Sequence, residues 1–109
     1  QHGFAVSDAS EALRNDKEFM LEALRLDGWC LRYASSMLRS DEEIVLEAVK
    51  SDGRAFRYSS DALKSDRDFL LKAVTHDGFA LAYASKALKN DREIVLEAVR
   101  QNGAAFRYA

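Results

Sequence analysis

The sequence predicts an all-α fold, an α-solenoid of 25-residue helix-turn-helix repeats amounting to about four and a third units. Three observations carry that reading. The 109-residue chain has no proline and only five glycines, and these stand at Gly3, Gly28, Gly53, Gly78 and Gly103, a lattice of period 25. Self-similarity at a fixed period of this length is the mark of a repeat array. The units so defined, 3–27, 28–52, 53–77, 78–102 and a partial 103–109, also resemble one another, the second and fourth agreeing at 14 of 25 positions. Finally, apolar residues recur at helical spacing, and alternating β-branched runs with hairpin punctuation are missing. The chain therefore reads as one helical-repeat domain. Because it stops at Ala109, part-way through a unit, it is expected to be a fragment of a longer array.

The second half of each unit is the longer helix. Phe19, Met20, Leu21, Ala23 and Leu24 recur as Ile44, Val45, Leu46, Ala48 and Val49, as Phe69, Leu70, Leu71, Ala73 and Val74, and as Ile94, Val95, Leu96, Ala98 and Val99. Spacings of three and four trace one face, and three consecutive apolar residues widen it enough to be buried from two sides. Its start is marked by Asn15, Ser40, Ser65 and Asn90, each three residues before an acid, so that Ser40 with Glu43 fits a capping box. Asp16, Asp41, Asp66 and Asp91 follow directly and suit the positive end of the helix dipole. Either the Ser/Asn or the Asp can serve as the cap. At the far end Asp27, Asp52, Asp77 and Asn102 each precede a glycine that can close the helix in the left-handed conformation, which gives about 11 residues. If Gly53 has positive φ, Gly53→Ala should cost about 1 kcal/mol or more.

The first half of the unit, as in Trp29 to Leu38, has apolar residues at Leu31, Ala34 and Leu38 in helical register. The interior serine of the column Ser10, Ser35, Ser60 and Ser85 favours caps and turns, so this half is a short helix plus a turn, or two short turns that break at the serine. One such helix pair cannot bury its broad face alone, and stacking solves that. The four tyrosines share one column, Tyr33, Tyr58, Tyr83 and Tyr108, while the first unit has Asp8 there. A tyrosine that packs back on the preceding unit needs no counterpart in the first.

The recurring string Gly78-Phe79-Ala80-Leu81-Ala82-Tyr83-Ala84-Ser85, followed by Leu88, Asn90, Asp91 and Glu93-Ile94-Val95-Leu96-Glu97-Ala98-Val99, resembles the family called domain of unknown function 4116. The resemblance covers nearly the whole chain and departs from the pattern at Val6, Ser7 and Asp8. It implies a helical repeat protein found in multidomain bacterial or protist polypeptides, with no established activity and no established ligand, and it adds no catalytic residue.

Composition narrows the function. With 48% hydrophobic and 31% charged residues the chain can collapse, and the net charge of -2 leaves no overall basic field for a phosphate backbone. The single Cys30 excludes a disulfide framework and a multi-thiolate metal site, and its column is otherwise alanine, so it reads as a small core residue. No apolar run is long enough for a membrane span. We therefore expect no cofactor, no metal, no membrane and a cytoplasmic setting. His76 as a ligand or general base would need Asp77 or Glu97 to converge on it. Glu22 with Arg25, Glu47 with Lys50 and Glu97 with Arg100 read as surface pairs three apart.

The remaining signal is a surface column just after each glycine, Phe4, Trp29, Arg54, Phe79 and Ala104, beside Arg32, Arg57 and Arg107. Trp, Phe and Arg are enriched at binding hot spots. The column is either a ladder of anchors or a set of lids over the inter-repeat core. The expectation is a non-catalytic module for protein–protein interaction, scaffolding or spacing, which takes a protein or peptide partner through Trp29, Arg32, Arg54, Arg57 and Phe79. On this reading the double change Trp29→Ala and Phe79→Ala abolishes partner capture with little loss of stability. Alternatives are single-stranded nucleic-acid binding through one Arg and one Tyr per repeat, which the acidic balance disfavours, and an accessory domain of an enzyme. Exposed repeat ends also allow self-association.

Overall fold

The computed structural model describes residues 11–109. Among these there is no strand, and helical segments follow one another with short joints. Four α-helices of the same kind form one layer: α2 (Lys17–Leu26), α3 (Glu42–Ser51), α5 (Arg67–His76) and α6 (Arg92–Gln101). The other layer is made of 3-10 helices, η1 (Gly28–Tyr33), η3 (Gly53–Tyr58), η4 (Gly78–Tyr83) and η6 (Gly103–Tyr108). Between the two layers runs one continuous core, with Leu24, Leu31, Ile44, Val45, Phe56, Phe69, Leu70, Leu81 and Ile94 essentially inaccessible. The solenoid is short, 41 Å along its longest axis.

Each α-helix has 10 residues. Its N-cap is the aspartate: Asp16 Oδ1 accepts from Phe19 N at 3.0 Å, and Asp41 Oδ1 accepts from Glu43 N at 2.9 Å and Ile44 N at 3.2 Å. Ser40 instead ends the preceding turn, so the Ser40–Glu43 capping box does not form. A carboxylate is the stronger acceptor for the exposed N–H groups at a helix start, which decides between the two candidate caps.

The far end differs from the expected left-handed closure. Among the described residues no glycine has positive φ. Asp52 is extended, with φ -159° and ψ 114°, and its N–H still donates to Ala48 O. Its side chain then accepts from Arg54 N at 2.9 Å and so opens the following 3-10 helix. Asp27, Asp77 and Asn102 do the same for Trp29, Phe79 and Ala104. One residue thus closes one helix and caps the next.

The glycines serve close approach. A Cβ on Gly28 would lie 2.7 Å from Ala48 O, and one on Gly78 2.5 Å from Ala98 O, in each case on the α-helix of the same unit. At Gly103 nothing lies within 4 Å.

The serine column breaks the first half of the unit as expected. Ala34 turns extended, Ser35 N donates to Arg14 O of the preceding unit at 3.0 Å, and Ser35 Oγ accepts from Leu38 N at 3.2 Å. Ser60 N likewise donates to Arg39 O at 3.0 Å, and Ser85 N to Lys64 O at 2.9 Å. Each unit therefore holds three helical segments where the helix-turn-helix reading has two.

The third segment alternates. It is α-helical in the first and third units, α1 (Glu11–Arg14) and α4 (Asp61–Lys64), but a 3-10 turn in the second and fourth, η2 (Leu38–Ser40) and η5 (Leu88–Asn90). Glu11 and Asp61 supply an acid in the first turn, whereas Ser36 and Lys86 stand there in the other two. The joints alternate too. Lys17 Nζ bridges Asp41 at 3.1 Å and Glu43 at 2.9 Å, and Arg67 bridges Asp91 at 2.6 Å and Glu93 at 2.5 Å. No such clamp joins the second unit to the third, where α3 and α5 are in less extensive contact than α2 with α3 or α5 with α6. The structural period is two units.

Candidate partner-binding surface

The column after glycine is part of the inter-repeat joint. Trp29 is half-buried, and its Nε1 donates to Asp52 Oδ2, the last residue of its own unit, at 2.9 Å. Its ring meets Tyr58 edge-on with centroids 5.6 Å apart, and Arg54 lies over it at 5.6 Å. Arg54 is held in turn by Asp52, through Nε at 3.1 Å and Nη2 at 2.9 Å. These Arg54 bonds, together with those from Arg54 N and Trp29, hold the Asp52 carboxyl below the usual carboxylate range against the opposing effect of burial. Phe79 repeats the motif, meeting Tyr108 edge-on at 5.8 Å. The tyrosines do pack back on the preceding unit. Asp8, Phe4 and His2 lie outside the described residues.

Both Trp29 and Phe79 are therefore committed to holding neighbouring units together, and removing them should weaken the stack. That differs from the expectation of little stability loss. The physical reason is that a six-residue 3-10 helix is too short to cover the joint without a large side chain reaching across it.

Arg32, Arg57 and Arg107 are exposed, each with its guanidinium over the ring of the following tyrosine, at 5.6, 5.5 and 5.9 Å. Arg57 also lies 6.0 Å from the Tyr83 ring of the next unit. The tyrosines form a half-buried spine with Trp29, Arg54 and Phe79 on one side and these arginines on the other. On the arginine side runs a second basic column that sequence reasoning missed: Arg39, Lys64 and Lys89, all half-buried. Arg14 begins that column and lies over Tyr33 at 6.0 Å. The signal was available, since the position is Arg or Lys in every unit. Arg39 lines a groove of about 320 Å³ together with Ser36, Ser40, Tyr58, Ser59, Ser60 and Asp61. Its Nε is buried without a hydrogen-bond partner. Lys64 Nζ donates to Arg57 O at 2.8 Å.

The four-unit recurrence is matched by a family model. The model described as "Domain of unknown function (DUF4116)" fits the chain in four overlapping stretches, residues 1–39, 16–64, 41–89 and 66–109. The chain belongs to this family. Each of the matches 16–64 and 41–89 in this DUF4116 chain spans about two units, and successive matches are offset by one unit. No curated protein and no solved structure gives a match.

Elsewhere among the described residues the DUF4116 chain does not gather reactive groups. His76 is exposed, Asp77 is occupied by Gly53 N at 2.8 Å and Phe79 N at 3.0 Å, and Glu97 pairs with Arg100. Cys30 is wholly buried, and desolvation pushes its thiol up to about 11, so it stays protonated in the core. Of the surface pairs three apart, Glu97–Arg100 forms, while Arg25 reaches Glu47 of the next unit at 3.5 Å in place of Glu22. Among the described residues no helix is long and apolar enough to cross a membrane.

Proposed function

We propose that this chain is a non-catalytic repeat module that holds a protein or peptide partner along its Arg–Tyr edge, as an interaction, scaffolding or spacing unit of a larger polypeptide. One observation supports this above others: the same exposed guanidinium-on-tyrosine pair recurs at Arg32, Arg57 and Arg107. Solenoids commonly build extended binding surfaces from residues at one repeat position. Tyrosine and arginine are also the side chains most often found as binding anchors. The proposal includes a cytoplasmic setting, which suits a free buried thiol.

The test is a selection of random 16-residue peptides displayed on phage against the wild-type chain. Enriched sequences should lose about tenfold or more in affinity for the variant Arg32→Ala with Arg57→Ala, while its melting temperature stays near that of the wild type. No enrichment, or enrichment indifferent to the variant, would sink the reading. Binding of single-stranded RNA that weakens steeply with salt would replace it by the nucleic-acid alternative.

A further inference from the structure

The cations of the described residues differ in their pairing. Lys17, Arg25, Arg54, Arg67 and Arg100 each have a carboxylate within salt-bridge distance. Arg32, Arg39, Arg57, Lys64, Lys89 and Arg107 make no ion pair among the described residues, and neither do Lys50, Lys72, Lys86 and Arg92. The first six of these lie on the two basic columns that run beside the tyrosine spine. Most acids are spent at the helix caps and on the surface of the α-helices, so an overall charge of -2 conceals an edge that is mainly basic, with Glu11 and Asp61 as acids beside it.

We infer that this edge takes an extended, carboxylate-rich peptide whose acidic side chains recur at every third residue. The inference rests on the interaction reading above and names the chemistry of its partner. Charge complementarity is the first argument. Guanidinium groups present a planar fork of donors that suits a carboxylate, and here three exposed ones lie 5.5–5.9 Å from the centres of tyrosine rings. Spacing is the second. Helices of successive units pack at about 8–10 Å, and a polyproline-II chain advances about 9 Å in three residues, so one acid in three meets one cation column per unit. Asp61, in the groove with Arg39 and Tyr58, repels an acid at that point and so favours one register.

The same geometry argues against single-stranded nucleic acid. Such strands are held by stacking bases on open aromatic faces. Here Tyr33, Tyr58, Tyr83 and Tyr108 each carry a guanidinium over the ring, and Tyr58 and Tyr108 have Trp29 and Phe79 against them as well.

The experiment is a fluorescence-anisotropy titration of the whole chain with a labelled peptide of five Glu-Pro-Ala triplets. It is compared with a peptide of the same composition whose five glutamates are contiguous, and with a 15-nucleotide oligouridine. The triplet peptide should saturate the chain, bind about fivefold or more tighter than the contiguous one, and weaken as salt rises. The variant Arg32→Gln, Arg57→Gln, Arg107→Gln should lose about tenfold or more, while Lys72→Gln, on the α-helical surface, leaves binding unchanged. The reversed variant Arg32→Glu, Arg57→Glu, Arg107→Glu should instead capture a Lys-Pro-Ala peptide, a gain that mere unfolding cannot produce. Absence of saturable binding, equal affinity for the contiguous peptide, tighter binding of oligouridine, or an unaffected Gln variant overturns the inference. If the triplet peptide fails but phage-selected peptides still depend on Arg32 and Arg57, the interaction reading stands and only the partner chemistry assigned here falls.

Discussion

At the scale of single residues, the glycines illustrate how one observation supports two different physics. Their period announces the repeat, and their place after Asp or Asn suggests a left-handed cap, yet the backbone there is ordinary. What Gly28 and Gly78 supply is the absence of a side chain where the 3-10 helix meets a carbonyl of the α-helix in its own unit. Gly78→Ala should therefore destabilise by about 1–3 kcal/mol through overpacking. Gly103→Ala, with open space around it, should leave the melting temperature almost unchanged. Similar losses at both positions in thermal unfolding would return the explanation to backbone conformation. Sequence alone could not separate the two, because the clashing atom belongs to a residue 20 positions on, Ala98 for Gly78. The binding surface shows the same split. Arg32, Arg57 and their tyrosines are legible as a column, but that Trp29 and Phe79 are bound into the joint depends on Tyr58 and Tyr108 reaching back from the next unit.

At the scale of elements, the α-helices were legible almost to the residue from their wide apolar face, whereas their caps were not, since Ser40 and Asp41 both qualify on type. The geometry chooses Asp41. Burial tends to raise its carboxyl, but the Ile44 and Glu43 N–H groups and the Lys17 ammonium outweigh that and hold it below its usual range. The Asp91 carboxyl is lowered likewise, first by Arg67 and then by the Ile94 N–H. A carboxyl that binds its proton less tightly in the folded state stabilises the fold above its unfolded value of about 3.9 and loses that effect as pH falls through the lower folded value. Acid-induced melting below about pH 4 should follow. Asp41→Ala should cost about 1 kcal/mol at neutral pH. Asp41→Asn retains the capping oxygen but should flatten part of the pH dependence. Urea melts of the three proteins at pH 3 and pH 7 decide the matter, and an Asn variant as acid-sensitive as the wild type would falsify the assignment.

At the scale of the whole molecule, a 25-residue period in the sequence becomes a two-unit period in space. The hint lay in the alternation of Phe19, Ile44, Phe69 and Ile94. The chemistry that makes it structural, a Lys17 or Arg67 clamp at one joint and its absence at the next, depends on which side chains meet across units. A consequence concerns how such a chain can lengthen. Parity matters. A second copy of residues 41–90 inserted after residue 90 re-creates only junctions that the chain already has, so it should raise the melting temperature as any added stack does. A second copy of residues 41–65 inserted after residue 65 sets two Ile44-type helices side by side, a junction absent from the parent, and should raise it less or lower it. If so, viable arrays of this kind grow in quanta of 50 residues, and a single-unit duplication is a mismatch that selection would remove.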